Sequence, residues 1–292
     1  MSKKYLIAGA TGYLGRQLVH AAKEAGHEVR ALARDDSRLP AAVDEVFNAE
    51  ATDPDSLSGL CHGGDVVISA LGITRQRDGL TYEDVDYKAN RNILNEALKA
   101  NVGQFAYVHV LNADQMQHVP MVNAKTRFAA ELRRSPIAST IISPSGFYSD
   151  LGEVLKMAQA GRVYLFGDGG TLVSPIDGRD MADVCITAVE QQLDTIDVGG
   201  PATLTFNQVA ELAFRVLDKP AKITHLPLSI GKLGVQLAKL LGFGKAVGAI
   251  EFFVAASGID MKAPNYGSKT LEQHFSQLLR TESERVNTAK AA

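Results

Sequence analysis

One feature constrains this chain more than any other: Gly9-Ala10-Thr11-Gly12-Tyr13-Leu14-Gly15, between the apolar run Tyr5-Leu6-Ile7-Ala8 and a segment of helical periodicity, Gly12 to Ala25. In a Gly-x-x-Gly-x-x-Gly turn, Gly9 permits the tight bend and Gly12 lets backbone approach a pyrophosphate. Gly15 lets the helix close onto the strand. The free N–H groups and positive dipole end of that helix then favour phosphate. A glycine triplet alone is weak, but one that follows a strand and opens a helix has the context that dinucleotide binding requires.

The rest of the first half alternates strand and helix. Strands are predicted at Glu28–Ala33, Val46-Phe47, Asp65–Ala70, Phe105–Val110 and Ser139–Ile142, with helices at Tyr82–Ala100 and Val119–Arg134. Asp53-Pro54 reads as a further helix start, Asp capping and Pro at the first position. Short strands alternating with helices imply an α/β fold, a doubly wound, mostly parallel Rossmann sheet covered on both faces. The expected division is an NADP-binding domain over 1–150 and a smaller, mostly helical substrate or lid lobe over 151–292. That lobe partly returns to the sheet through Ile196-Asp197-Val198. Thr281 to Ala292 is polar and small and is expected to fray.

The end of the second strand selects the cofactor. A carboxylate there would take the ribose 2′-hydroxyl of NAD; this strand ends Leu32-Ala33-Arg34, and Arg16 follows the third glycine. A guanidinium pair suits a 2′-phosphate, so NADP(H) is expected over NAD(H). Asp35 and Asp36 are the competing ribose ligands.

At this point the sequence resembles the atypical short-chain dehydrogenase/reductase superfamily, in its NmrA-like, NAD(P)H-binding branch. The resemblance rests on the glycine loop, Val29–Arg34, Thr52–Leu57, Val85–Asn90, Phe105–Leu111, Pro144–Tyr148, Ser174–Ala182 and Gly199-Gly200-Pro201. It implies that Glu50 stands near the adenine and that Ala70-Leu71-Gly72 passes under the adenosine half. It implies further that Asn90 lies on the helix buttressing the cofactor, and that Lys125 reaches the nicotinamide ribose. Pro144, Ser145, Gly146 and Phe147 would flank the nicotinamide and open into a substrate cleft.

The chain departs from the superfamily where its reductases carry Tyr-x-x-x-Lys on one helix and a serine on the fifth strand. Here the helix reads Met121-Val122-Asn123-Ala124-Lys125, and the serine position in Val108-His109-Val110 is His. A thioether donates no proton. Three readings follow. His109 serves as the acid, its ordinary pKa lying near neutrality, with Tyr148 and His118 behind it. Or the acceptor is hydrophobic or conjugated (a quinone, flavin or enone) and needs little acid catalysis. Or the protein is a non-catalytic NADP(H)-binding redox sensor or regulator, acting through a protein partner. The bland alternative for His109 and Tyr148 is core packing.

Composition narrows the remaining classes. The net charge of −3 and the 22% of charged residues argue against a dedicated nucleic-acid binder. Two cysteines, Cys61 and Cys185, make no disulfide framework, and no His or Cys pair has metal-ligand spacing. The apolar run after Lys3-Lys4 is too short for a signal sequence, and no 18-residue apolar stretch spans a membrane, so a cytoplasmic protein is expected. Leu226 to Phe253 stands apart. It places Lys232, Lys239 and Lys245 among Leu, Ile, Val, Phe and Gly. It reads as a lid or oligomer helix, a wall for a hydrophobic substrate, or a segment resting on a membrane surface.

Overall fold

The computed structural model describes residues 2–73, 79–244 and 247–291; Lys245 of the lysine-bearing segment lies outside them, as do the side chains from 285 onward. The first half runs β1 (Lys4–Ala8), α1 (Tyr13–Glu24), β2 (Glu28–Ala33), β3 (Glu45–Asn48), β4 (Val66–Ser69), α2 (Asn90–Lys99), β5 (Gln104–Val108), α3 (Pro120–Arg134) and β6 (Ala138–Pro144). Then follow α4 (Gly152–Gln159), β7 (Val163–Phe166), β8 (Leu172–Val173), α5 (Gly178–Glu190), β9 (Thr195–Val198), β10 (Leu204–Thr205) and α6 (Phe206–Val216). The chain ends β11 (Ile223–Leu226), α7 (Leu228–Leu240), α8 (Gly248–Ala256) and α9 (Leu271–Ala291).

Seven parallel strands form the main sheet in the order β3-β2-β1-β4-β5-β6-β9. Tyr5, Leu6, Ile7 and Ala8 of β1 are all buried, as a central strand covered on both faces requires. On one face Leu14, Leu18 and Val19 of α1 and Met181, Cys185 and Val189 of α5 pack on Ile7, Ile68 and Ile142. On the other, Ile93 and Leu94 of α2 and Phe128 and Leu132 of α3 cover Leu6, Val67, Phe105 and Ile141. Successive strands are added outward in opposite senses from β1 and from β4, which opens a crevice at their carboxyl ends, the usual ligand site of such sheets. The C-terminal helices and the two small sheets, β10 with β8 and β11 with β7, enclose a second core around Tyr148, Phe206, Phe214, Met261 and Phe275.

Two expected local features differ. Asp53-Pro54 starts no helix: Asp53 accepts from the Asp55 N–H, but only the 3₁₀ turn Asp55–Leu57 forms. Gly59 and Gly63, at φ +81° and +68°, turn the chain before a longer helix can grow. The polar tail expected to fray instead continues α9 to Ala291. Cys61 and Cys185 are buried, and burial pushes both thiols up to about 12, as for inert small hydrophobes.

Candidate functional site

The glycine loop behaves as its spacing demands. Gly9 sits at φ +85°, and a Cβ there would stand 3.0 Å from the Ala70 carbonyl oxygen. A Cβ on Gly15 would fall 1.9 Å from the Gly9 oxygen, so only glycine lets α1 dock this closely. Leu14 is buried beneath the sheet, and Tyr13 turns outward to accept a hydrogen bond from the Gly178 N–H at 3.0 Å. Gly12 is the N-cap of α1, no side chain caps that helix, and its first turn holds no acid. The N-terminus of α1 is thus left open to an anion.

A cleft of ≈ 220 Å³ opens above this loop. Gly9, Thr11, Gly12, Arg34, Glu50, Ala70, Leu71 and Gly72 line it together, joined by Leu32, Ala33, Ala49, Ala51, Thr52, Ile73, Leu80, Val85 and Ala89. Its shape and donors fit the adenosine and phosphate half of a dinucleotide: an apolar slot, an uncapped helix end and a guanidinium at the rim. Arg34 lies 3.5 Å from Glu50, and Glu50 also accepts from the Thr52 N–H. Asp35 spends its carboxylate on the N–H and hydroxyl of Ser37, capping a short 3₁₀ turn. Arg16 is exposed on α1 and does not line the cleft. Arg38, which the sequence reading passed over, brings its guanidinium within 3.5 Å of the Thr11 oxygen at the loop.

Behind Gly72 lies a buried ion pair. Lys125 Nζ on α3 is 3.3 Å from Asp86 Oδ1, with side-chain exposures of 13% and 0%. The ammonium also donates to the Val108 carbonyl at 3.4 Å and stands 5.2 Å from the centre of the Tyr107 ring. Asp86 Oδ2 accepts from the Ile73 N–H, whereas Oδ1 faces the Lys125 ammonium. Burial raises the Asp86 pKa against the pull of Lys125 and of that N–H. A Cβ on Gly72 would meet Asp86 Oδ1 at 2.6 Å and Lys125 Nζ at 3.1 Å, so the pair rests directly against the cleft wall.

Asp86 reaches this position on a π-helical segment, Glu83–Ala89, that leads into α2. Such segments recur at functional sites. Asn90, fully buried, holds the segment by donating to the carbonyls of Val85 and Asp86, and ties it to the cleft wall by donating to Leu71. The sequence carried a sign of Asp86 that was not read: with Tyr82, Ala89 and Ile93 it falls on the apolar face of its helix, where a lone acid needs a partner.

The three candidate acids are not brought together. His109 is buried. Its Nε2 lies 3.4 Å from Thr126 Oγ1, whose own hydroxyl donates to the Val122 carbonyl. That leaves Nε2–H as the donor and Nδ1 as a buried acceptor without a partner. Burial first, then the charges of Lys125 and Arg133, push His109 down to about 3. The sequence led us to expect a ring poised near neutrality; the structure holds a neutral one. Tyr148 belongs to the second core and donates to the Lys269 carbonyl at 2.9 Å, with burial raising its pKa. His118 precedes α3 and is exposed at the loop, away from the cleft lining. Met121, half-buried, packs on the second core.

Pro144 ends β6, and Ser145 locks the following turn to the sheet edge: its N–H donates to Val198 and its hydroxyl to Ser174. Gly146 at φ +152° turns the chain so that Phe147 meets the Tyr13 ring edge-on, centroids 6.0 Å apart. None of Pro144 to Phe147 lines the adenosine cleft. A further buried cluster fastens the C-terminal segment, with Asp177 accepting from Lys269 at 2.9 Å and from the Arg179 N–H. Burial alone would raise Asp177, but hydrogen bonds from His274, Lys269 and that N–H hold it well below the usual carboxylate range. Among the described residues no group of His, Cys, Asp or Glu could hold a metal ion, and no helix is long and apolar enough to cross a membrane.

The family model described as NAD(P)H-binding matches residues 9–192. The chain is 28% identical to the chloroplastic divinyl chlorophyllide a 8-vinyl-reductase of Zea mays, across 94% of this chain and 79% of that protein. It is 26% identical to the photosystem II assembly factor Ycf39 of Trieres chinensis, across 83% and 78%. Among solved structures, the NADPH complex of the quinone oxidoreductase QOR2 from Escherichia coli superposes with a TM-score of 0.75 at 18% identity, covering 94% of this chain and 99% of that one.

Proposed function

This chain belongs to the NAD(P)H-binding atypical short-chain dehydrogenase/reductase family, and on that premise we propose that it is an NADPH-dependent reductase of a conjugated, largely apolar acceptor. The observation that carries the reading is the buried Lys125–Asp86 pair in a site whose other candidate acids are neutral or occupied. An isolated carbonyl needs a proton at its oxygen as hydride arrives. A quinone, flavin or activated double bond instead spreads the developing charge over its own conjugated system, so orientation and one fixed cation suffice.

In this reading the cofactor supplies the hydride. The protein's share begins with the glycine loop and the uncapped end of α1, which hold the pyrophosphate. Arg34 and Arg38 take the 2′-phosphate, giving NADP(H) preference over NAD(H). Lys125, fixed by Asp86, faces the nicotinamide ribose and offers its charge, and a proton at Nζ, to the reduced acceptor. Pro144 to Phe147 shield the nicotinamide from water. The names of the relatives support the acceptor class: one reduces a vinyl group, and the structural neighbour a quinone.

A second reading, an NADP(H)-binding regulator that acts through a protein partner, is favoured by the burial of His109 and by likeness to an assembly factor. One experiment separates the two. NADPH oxidation is followed against quinones, flavins, enones and vinyl-substituted aromatics. We expect turnover with at least one acceptor, falling about 100-fold in Lys125→Met, on the scale of a lost proton-transfer or charge-stabilising group. NADPH binding without oxidation by any acceptor would sink the reductase and favour the regulator.

A further inference from the structure

Helices α7 and α8 pack as one unit. A Cβ on Gly231 of α7 would stand 2.9 Å from the Phe166 ring and 3.1 Å from Val254 Cγ2 of α8, so glycine lets α7 close on both. A 2.6 Å ion pair between Lys239 on α7 and Glu251 on α8 fastens the unit, with the Glu251 side chain only 12% exposed. Phe253 of α8 meets Phe206 of the second core edge-on, centroids 5.9 Å apart.

The first residue of α8 is also a glycine. A Cβ on Gly248 would fall 2.3 Å from the Tyr82 hydroxyl oxygen, 2.8 Å from Cε2 and 3.0 Å from Cζ, inside the van der Waals envelope of the ring edge. Tyr82 is buried and its hydroxyl has no hydrogen-bond partner, so packing holds the ring in place. Glycine is a poor helix residue, and Gly248 has no positive φ that would call for one. What it supplies is close approach.

Tyr82 stands where the cleft wall begins. It is the N-cap of the π-helical segment Glu83–Ala89, whose Val85 and Ala89 line the cleft. Asp86, one turn on from Tyr82, holds Lys125 at 3.3 Å and accepts from the N–H of Ile73, another lining residue. A close-packed interior transmits a displacement instead of absorbing it. A shift of the Tyr82 ring therefore moves the cleft wall and the Lys125–Asp86 pair together.

We propose that Gly248 and Tyr82 form a seat through which docking of the α7–α8 unit sets the shape of the cofactor cleft, so that NADP(H) binding and helix docking are coupled. Both are positioning residues, because neither lines the cleft. The inference rests on the cofactor-binding reading, which the reductase and the regulator share, and not on turnover. Linkage makes the coupling reciprocal: what the seat does to NADPH affinity, NADPH does to the seat.

The test is calorimetric titration of the full chain with NADPH, paired with amide hydrogen exchange. Gly248→Ala should weaken NADPH about tenfold, an ordinary factor for coupled sites, and speed cofactor-free exchange over residues 83–90 about fivefold. Tyr82→Phe deletes the atom that the new Cβ meets first. Gly248→Ala/Tyr82→Phe should therefore bind NADPH within about threefold of Tyr82→Phe alone. Gly234→Ala, on α7 where a Cβ meets nothing within 4 Å, should change neither readout. In the wild type, saturating NADPH should slow exchange over residues 248–256 about twofold. Unchanged NADPH affinity in Gly248→Ala, a loss that Tyr82→Phe does not rescue, or α8 exchange indifferent to bound NADPH would each overturn the proposal and leave the cofactor reading standing. A wild type that binds no NADPH would sink the cofactor reading, and the coupling with it.

Discussion

Asp86→Asn isolates the buried pair, because it removes one charge and almost no volume. At 3.3 Å and an effective dielectric of about 20, the Lys125–Asp86 attraction is about 5 kcal/mol. Desolvation of each ion costs several kcal/mol, and the raised Asp86 pKa says that this cost is felt. The pair as a whole therefore contributes little to stability. Removing one member is different: the ammonium stays buried, with only the Val108 carbonyl and the Tyr107 ring for company. The loss should be about 3 kcal/mol, at the lower end for broken buried pairs because the asparagine oxygen still turns to the ammonium. For 292 residues, at about 2.1 cal/mol/K each, the unfolding entropy makes this a fall of about 5 °C in Tm. Calorimetry on the single variant, on Lys125→Met and on the double variant completes the cycle. The double variant should be more stable than Asp86→Asn alone, since it leaves no buried charge. A midpoint within about 1 °C of wild type in Asp86→Asn, or a double variant whose losses simply add, would refute the coupling.

Two further outcomes follow from the site. Arg34→Ala should weaken NADPH about tenfold in calorimetric titration and leave NADH nearly unchanged, a modest factor because the guanidinium is more than half exposed; equal loss for both cofactors would remove the 2′-phosphate role. His109, depressed from 6.5 to about 3, favours the folded state when neutral, so its contribution is complete above pH 6.5 and is lost as pH falls toward 3. Between pH 7 and 5 this group alone should cost wild type about 2 kcal/mol in urea unfolding, a cost that His109→Gln lacks; an identical acid loss in both proteins would show the ring to be already protonated in the fold.

Local spacing made the sheet and the residues that line the cleft legible. A glycine triplet between an apolar run and an amphipathic segment has one good solution, and Gly15 against the Gly9 oxygen shows how little room that solution leaves. Arg34 at the end of β2 followed from the same geometry. Arg38 did not, because it arrives from a loop whose course is set by Asp35 capping its own turn, a contact that competes with any role of Asp35 on a ribose. The Asp53-Pro54 start failed for an equally local reason. The capping chemistry is present, but the glycines beyond it end the turn before a helix can nucleate.

The candidate catalytic residues were less legible because their properties come from burial, not from residue type. Histidine suggests a titrating acid only while it is solvated; Val108-His109-Val110 already places that ring between two apolar residues at the end of a central strand, where the neutral form wins. Tyrosine suggests a proton donor only while its hydroxyl is free, and the Tyr148 hydroxyl is already donating a hydrogen bond to the Lys269 carbonyl. Asp86 errs the other way, an ordinary acid by composition that the π-helical segment turns inward onto Lys125. The replacement of tyrosine by Met121 thus removes a proton donor and leaves the fixed cation of the motif, with a carboxylate to hold it. On the proposed reductase reading, a site so built keeps its charge but has little else with which to protonate an unactivated carbonyl, and we expect it to favour acceptors able to delocalise the hydride's electrons themselves.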